Sequence, residues 1–210
     1  MNAVGELLRV KESADRGEAR RDLRIVAALS AASLVYATVR YNVFKGVPWA
    51  DWPSLIVNKA VGLSALLLIL AGVQAMVAGR SPRRLLAWAG GGVLLHVAVS
   101  LAILEPGYFP GFFVGPKMSF AAGLSLLAGA AAAVGMEIGA RKSGTLTYRG
   151  RALALGAIAA ASGFHAGVTG LHNWIEPAKW PGGMPPITLL SFVAGCAALA
   201  LARRVWGKST

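Results

Sequence analysis

Apolar residues along this chain come in long unbroken runs, separated by short polar or aromatic breaks. An α-helix needs about 20 predominantly apolar residues to cross the hydrocarbon core of a bilayer. Six runs meet that length: 24–44, 55–79, 82–104, 118–140, 151–173 and 185–206. Backbone groups in lipid must be satisfied within their own segment, so these runs predict helices. The tight Ser81-Pro82 break predicts that the second and third helices are antiparallel neighbours. Pro185-Pro186 suits the first turn of the last helix, where a missing N–H does no harm. The fourth run is rich in Ala and Gly.

Composition agrees with this pattern. The 210 residues are 56% hydrophobic and 14% charged, whereas a soluble domain carries roughly 25% charged residues. The predicted fold class is an all-α integral membrane protein, a six-helix transmembrane bundle over 24–206. A polar tail, 1–23, precedes it and a short tail, 207–210, follows. The first tail has mixed charge and no apolar core followed by a cleavage site, so it reads as a cytoplasmic segment rather than a signal peptide.

The net charge of +12 does not indicate nucleic acid, because the basic residues cluster in the breaks between apolar runs. Sixteen of the 21 Lys and Arg residues fall on one side of the expected topology and five on the other: Arg40, Lys45, Lys59, Lys117 and Lys179. The positive-inside rule then puts both termini in the cytoplasm, in a multi-pass protein of the cell inner membrane. Arg40 and Lys59 lie near the outer boundary and are expected to snorkel to the interface. Asn58 is expected to hydrogen-bond between helices. The outer breaks hold Trp49, Trp52, Tyr108, Phe109, Trp174 and Trp180, as an interfacial aromatic belt predicts. A docking surface for a periplasmic or membrane redox partner is the lesser reading of the same residues.

Two histidines break the apolar runs. His96 lies 12 residues beyond Arg84, roughly 18 Å along a helix, and His165 lies 14 residues beyond Arg151, about 21 Å along. Both helices enter from the same side, so the two rings are expected at similar depth in the outer half of the membrane. Ionisable residues inside a membrane are functional candidates by default. The lone cysteine, Cys196, excludes four-cysteine iron–sulfur ligation by this chain. Glu105 and Glu137 lie away from that depth, which weakens a non-haem iron or zinc site. The candidate ligands are therefore His96 and His165 on a haem iron. Gly92, Gly163 and Gly167 are candidate cofactor contacts, because missing side chains leave room for a flat group. His172 lies seven residues after His165 and is expected on the same helix face. It can meet a haem propionate or a quinone carbonyl, or be solvated. Ser100, Ser162 and Thr169 are candidates for orienting the imidazoles.

Arg83-Arg84-Leu85-Leu86 followed by Leu94-Leu95-His96, together with Gly163-Phe164-His165, resembles the ferric-reductase-like transmembrane domain. That superfamily includes the haem-binding membrane subunit of the periplasmic methionine sulfoxide reductase system and the membrane part of NADPH oxidases. The resemblance covers roughly 55–206. Tyr108-Phe109-Pro110 and the stretch from Trp180 to Pro186 are similar to a bacterial subgroup. Many members carry two histidine pairs, whereas here Ala152, Leu153, Ala154 and Leu155 occupy the region of an additional ligand. The resemblance therefore implies one haem b. It implies electron transfer from quinol or flavin to an outer-side acceptor, with at most an oxidoreductase subunit's role. No dinucleotide-binding Gly-x-Gly-x-x-Gly pattern is present. The competing expectation is a non-enzymatic scaffold or assembly subunit that holds no haem.

Overall fold

The computed structural model describes residues 3–141, 145–168 and 170–207. It is an all-α bundle with six helices long and apolar enough to cross a membrane. The helices are α1 (Ala3–Thr38), α2 (Val57–Val77), α3 (Arg83–Ala102), α4 (Phe120–Arg141), α5 (Tyr148–Val168) and α6 (Ile187–Gly207). A two-stranded hairpin, β1 (Phe113–Val114) and β2 (Lys117–Met118), precedes α4. It turns on Gly115 at φ 60°, the left-handed region that glycine enters at little cost.

The boundary expected at residue 24 is not a structural break. α1 runs without interruption from Ala3, and a π-helical turn (Val39–Phe44) then continues it. A second π-helical turn (Trp52–Ile56) leads into α2.

Helix ends group at two poles. Val73 and Met76 near the end of α2 cluster with Ala152 of α5 and Ala202 of α6. The Tyr148 hydroxyl donates to the Met76 carbonyl there. Asp15, Glu18 and Asp22 of α1 share a cleft with Arg83 and Arg84 of α3 at this basic pole. At the opposite, aromatic pole, Ala37 and Tyr41 cluster with Ile56, Ala60 and Ile187.

α2 is the centre of the bundle, packing on α1, α3, α5 and α6, while α5 packs on α4 and α6. Small residues bring α5 and α6 together. A Cβ on Gly195 would lie 2.5 Å from the Ala159 carbonyl oxygen, and one on Gly163 would lie 2.9 Å from the Ser191 carbonyl oxygen. Such close approach lets dispersion hold helices where lipid provides no hydrophobic drive.

α3 rests on α2 and α4 rests on α5, but α3 shares no comparable face with α4 or α5. α3 and α4 approach at Gly90 and Met136, where a Cβ on Gly90 would lie 3.9 Å from the Met136 Cε. The imidazoles lie beyond this point, toward the aromatic pole.

α5 ends at Val168, five residues short of the expected 173. Glycines at 167 and 170 weaken the last turn. Trp174 then folds back over Gly167, where a Cβ would lie 2.9 Å from its Cη2, and its indole N–H donates to Thr188 Oγ1 at 3.0 Å.

Candidate cofactor site

His96 of α3 and His165 of α5 come together across the bundle. Their ring centres are 6.4 Å apart and their planes are inclined at 80°. Both rings are half-buried.

Each imidazole is held from behind by the preceding helix of its own hairpin. His96 Nδ1–H donates to Asn58 Oδ1 at 2.8 Å and to the Asn58 carbonyl at 3.1 Å. The Asn58 amide is itself oriented, because its Nδ2 donates to Ser100 Oγ at 2.8 Å. His165 Nδ1–H donates to the Ser125 carbonyl at 2.7 Å, with Ser125 Oγ a second acceptor at 3.1 Å. The Ser125 hydroxyl donates in turn to the His165 carbonyl at 2.7 Å.

A carbonyl oxygen only accepts, so Nδ1 carries the proton in both rings. In a neutral imidazole this leaves the Nε2 lone pair free. Backbone carbonyls commonly fix metal-bound histidines in the same way.

The two hairpins repeat one local design. Asn58 and Gly62 on α2 back His96, while Ser125 and Gly129 on α4 back His165. In both, the polar residue precedes the glycine by four positions, so they share a helix face. A Cβ on Gly62 would lie 3.0 Å from His96 Nδ1, and one on Gly129 would lie 2.8 Å from His165 Nδ1. The polar residue precedes its histidine by 38 positions in one hairpin and by 40 in the other. The interhelical hydrogen bond expected of Asn58 is present, but sequence reasoning did not tie it to His96, and it missed Gly62, Ser125 and Gly129. The recurring polar-to-glycine spacing was the available signal, but it is short and degenerate in an Ala/Gly-rich chain.

The three glycines expected to border a flat group serve helix packing instead. Gly92 turns toward α2, where a Cβ would lie 3.2 Å from the Ala65 Cβ. Gly163 turns toward Ser191 and Phe192 of α6, and Gly167 toward Trp174 and Phe192. His172 does not share the face of His165, because α5 has already ended. It lies on a 3-10 turn (Leu171–Asn173) and is exposed. Ser162 donates back to the Ile158 carbonyl at 2.9 Å rather than to an imidazole. Thr169 lies outside the described residues. Ser100 reaches His96 only through Asn58. Arg40 does not snorkel: it is 5% exposed within the protein.

The ring separation can be tested against a shared metal. Metal–imidazole bonds of about 2.0–2.1 Å, with roughly 1.1 Å from nitrogen to ring centre, put two axial imidazoles about 6.3 Å apart. The observed separation of the ring centres, 6.4 Å, is close to that value. Among the described residues no group of three or more His, Cys, Asp or Glu side chains gathers. A zinc site takes three or four protein ligands. A donor set of two imidazoles suits an ion whose other positions are filled by its own macrocycle.

No protein-family model matches the chain, and no curated protein matches it in sequence. The fold and site together define a multi-pass all-α membrane protein with a pair of neighbouring, backbone-anchored histidines inside the bundle.

Proposed function

We propose that this protein is a b-type membrane cytochrome in which His96 and His165 hold one haem. The observation that carries this reading is the 6.4 Å separation of two imidazoles whose Nδ1 atoms are both committed to carbonyl oxygens. The residues fit the group: two neutral nitrogen donors, on hairpins whose helices α3 and α4 are not packed tightly together. Held by His96 and His165, a haem would supply one-electron transfer. The chain's own contribution is to bind and orient. Asn58 and Ser125 fix the tautomer, and Gly62 and Gly129 seat the rings.

In this reading the basic pole, with both termini, faces the cytoplasm, as the lysine and arginine distribution supports. The membrane is the cell inner membrane. Electrons come from quinol or a flavin and leave to an acceptor on the aromatic side.

The test is a reduced-minus-oxidised spectrum of protein purified from cells supplied with haem. The expected result is a Soret and an α band that disappear in both His96→Ala and His165→Ala, with monodispersity retained. A colourless wild-type protein would overturn the reading and leave the haem-free scaffold in its place.

A further inference from the structure

Arg40 lies in the π-helical turn between α1 and α2, at the aromatic pole. It is one of the most deeply buried polar residues, at 5% exposure. Its Nε and Nη1 atoms have neither solvent nor a hydrogen-bond partner. It is not the only cation there. The Arg40 guanidinium carbon lies 5.4 Å from the Tyr41 ring centre. Lys45 Nζ lies 5.8 Å and Lys59 Nζ 5.4 Å from the same centre. Lys59 Nζ is also 5.7 Å from the Phe109 ring centre. Among the described residues none of these three cations has an ion-pair partner. The ion pairs present are Arg16–Glu12, Arg21–Glu18, Arg21–Asp22 and Lys179–Glu176.

Lys45 is exposed to solvent and Lys59 half-buried, so Arg40 is the buried charge of the three. Aromatic faces attract cations, but a ring quadrupole does not neutralise it. A buried charge without a counter-charge costs several kcal/mol in order of magnitude. Like charges gathered around one ring add to that cost. A guanidinium held out of water with its Nε–H and an Nη1–H unfilled is a strong hydrogen-bond donor for the oxygens of a planar or tetrahedral oxyanion.

We propose that Arg40, Lys45 and Lys59 form a site for a carboxylate or phosphate oxyanion at the aromatic pole. Two sources share this chemistry. One is the propionate of a haem held by His96, because Lys59 follows Asn58 directly in sequence and Asn58 backs His96. This source rests on the proposed function. The other is the phosphate of an anionic phospholipid in the leaflet at that pole, which does not.

The experiment has two arms, each run on wild type, Arg40→Gln and Lys59→Gln. In the first, protein from haem-depleted cells is placed in phosphatidylcholine nanodiscs and titrated with haem b and with haem dimethyl ester. A propionate source predicts that wild type prefers haem b by about ten- to hundredfold and that each variant loses the preference. In the second, the His96→Ala/His165→Ala double variant serves as the haem-free background. It is extracted from membranes containing phosphatidylglycerol and examined by native mass spectrometry. A lipid source predicts retained phosphatidylglycerol, lost on adding Arg40→Gln or Lys59→Gln.

Equal affinity for haem b and its ester, with no phosphatidylglycerol retained, overturns the anion site. If wild type takes up neither form of haem, the cytochrome reading fails, and the second arm alone decides the anion site. Thermal unfolding checks that the variants fold. Arg40→Gln removes a buried charge, so in empty protein it is expected to raise Tm; a fall would indicate that the guanidinium is structural.

Discussion

His96 and His165 stand with ring centres 6.4 Å apart and planes inclined at 80°, although α3 and α5 do not pack face to face. The contact exists because each ring is pressed outward from a glycine on the helix behind it and pinned at Nδ1. The pair is therefore presented by two hairpins rather than by one helix interface, so its geometry depends on residues that are not ligands.

Loss of Asn58 should separate orientation from ligation. Asn58→Leu removes the Oδ1 acceptor and the link to Ser100 but keeps the backbone carbonyl. Haem affinity is expected to fall about 10–100-fold, the usual cost of losing an outer partner of a ligating histidine. The low-spin electron paramagnetic resonance signal should shift as the His96 ring turns. Ser125→Ala should cost less, because the Ser125 carbonyl already takes the His165 proton at 2.7 Å. Equal and full retention in both variants would contradict the orienting role.

Gly62→Ala and Gly129→Ala place a methyl 3.0 and 2.8 Å from an imidazole nitrogen. Real Cβ atoms essentially never sit at 2.8 Å and seldom at 3.0 Å, so the His165 ring must move and the His96 ring must give way by a few tenths of an ångström. Both variants should lose bound haem while keeping Tm within a few degrees of wild type. Gly91→Ala and Gly123→Ala, with open space at the Cβ, should match wild type in haem content and serve as controls. Haem-to-protein ratio from the pyridine haemochromogen assay is the readout.

His172→Ala should leave the absorption spectrum and the haem content unchanged. The residue is exposed on a turn beyond the end of α5, so its ring does not share the direction of His165. A lost α band in this variant would show that the loop folds back onto the site.

Gly195→Ala should destabilise the bundle without acting first on the site. Its methyl would fall 2.5 Å from the Ala159 carbonyl oxygen, a backbone atom that cannot swing away. Overpacking of this kind costs about 1–3 kcal/mol, read as a lowered Tm in detergent. Unchanged Tm would mean that α5 and α6 separate more readily than their small-residue contact suggests.

The chain alone was enough to place six apolar crossings, since hydrocarbon leaves a backbone no partner but its own helix. It also placed one histidine deep in the third crossing and one in the fifth. It was less informative about ends: the first helix extends back to Ala3, and the fifth stops at Val168 because Trp174 packs over Gly167. Facing was the harder matter. In a soluble helix the polar stripe marks the outer side, but in lipid both sides are apolar, so sequence periodicity does not say where a glycine or an imidazole points. Only packing decided that Gly92, Gly163 and Gly167 seat neighbouring helices while Gly62 and Gly129 seat the rings. Packing also buried Arg40 instead of letting it reach the interface. Depth is set along one helix and is written in residue spacing, whereas direction is set between helices and emerges only when they meet.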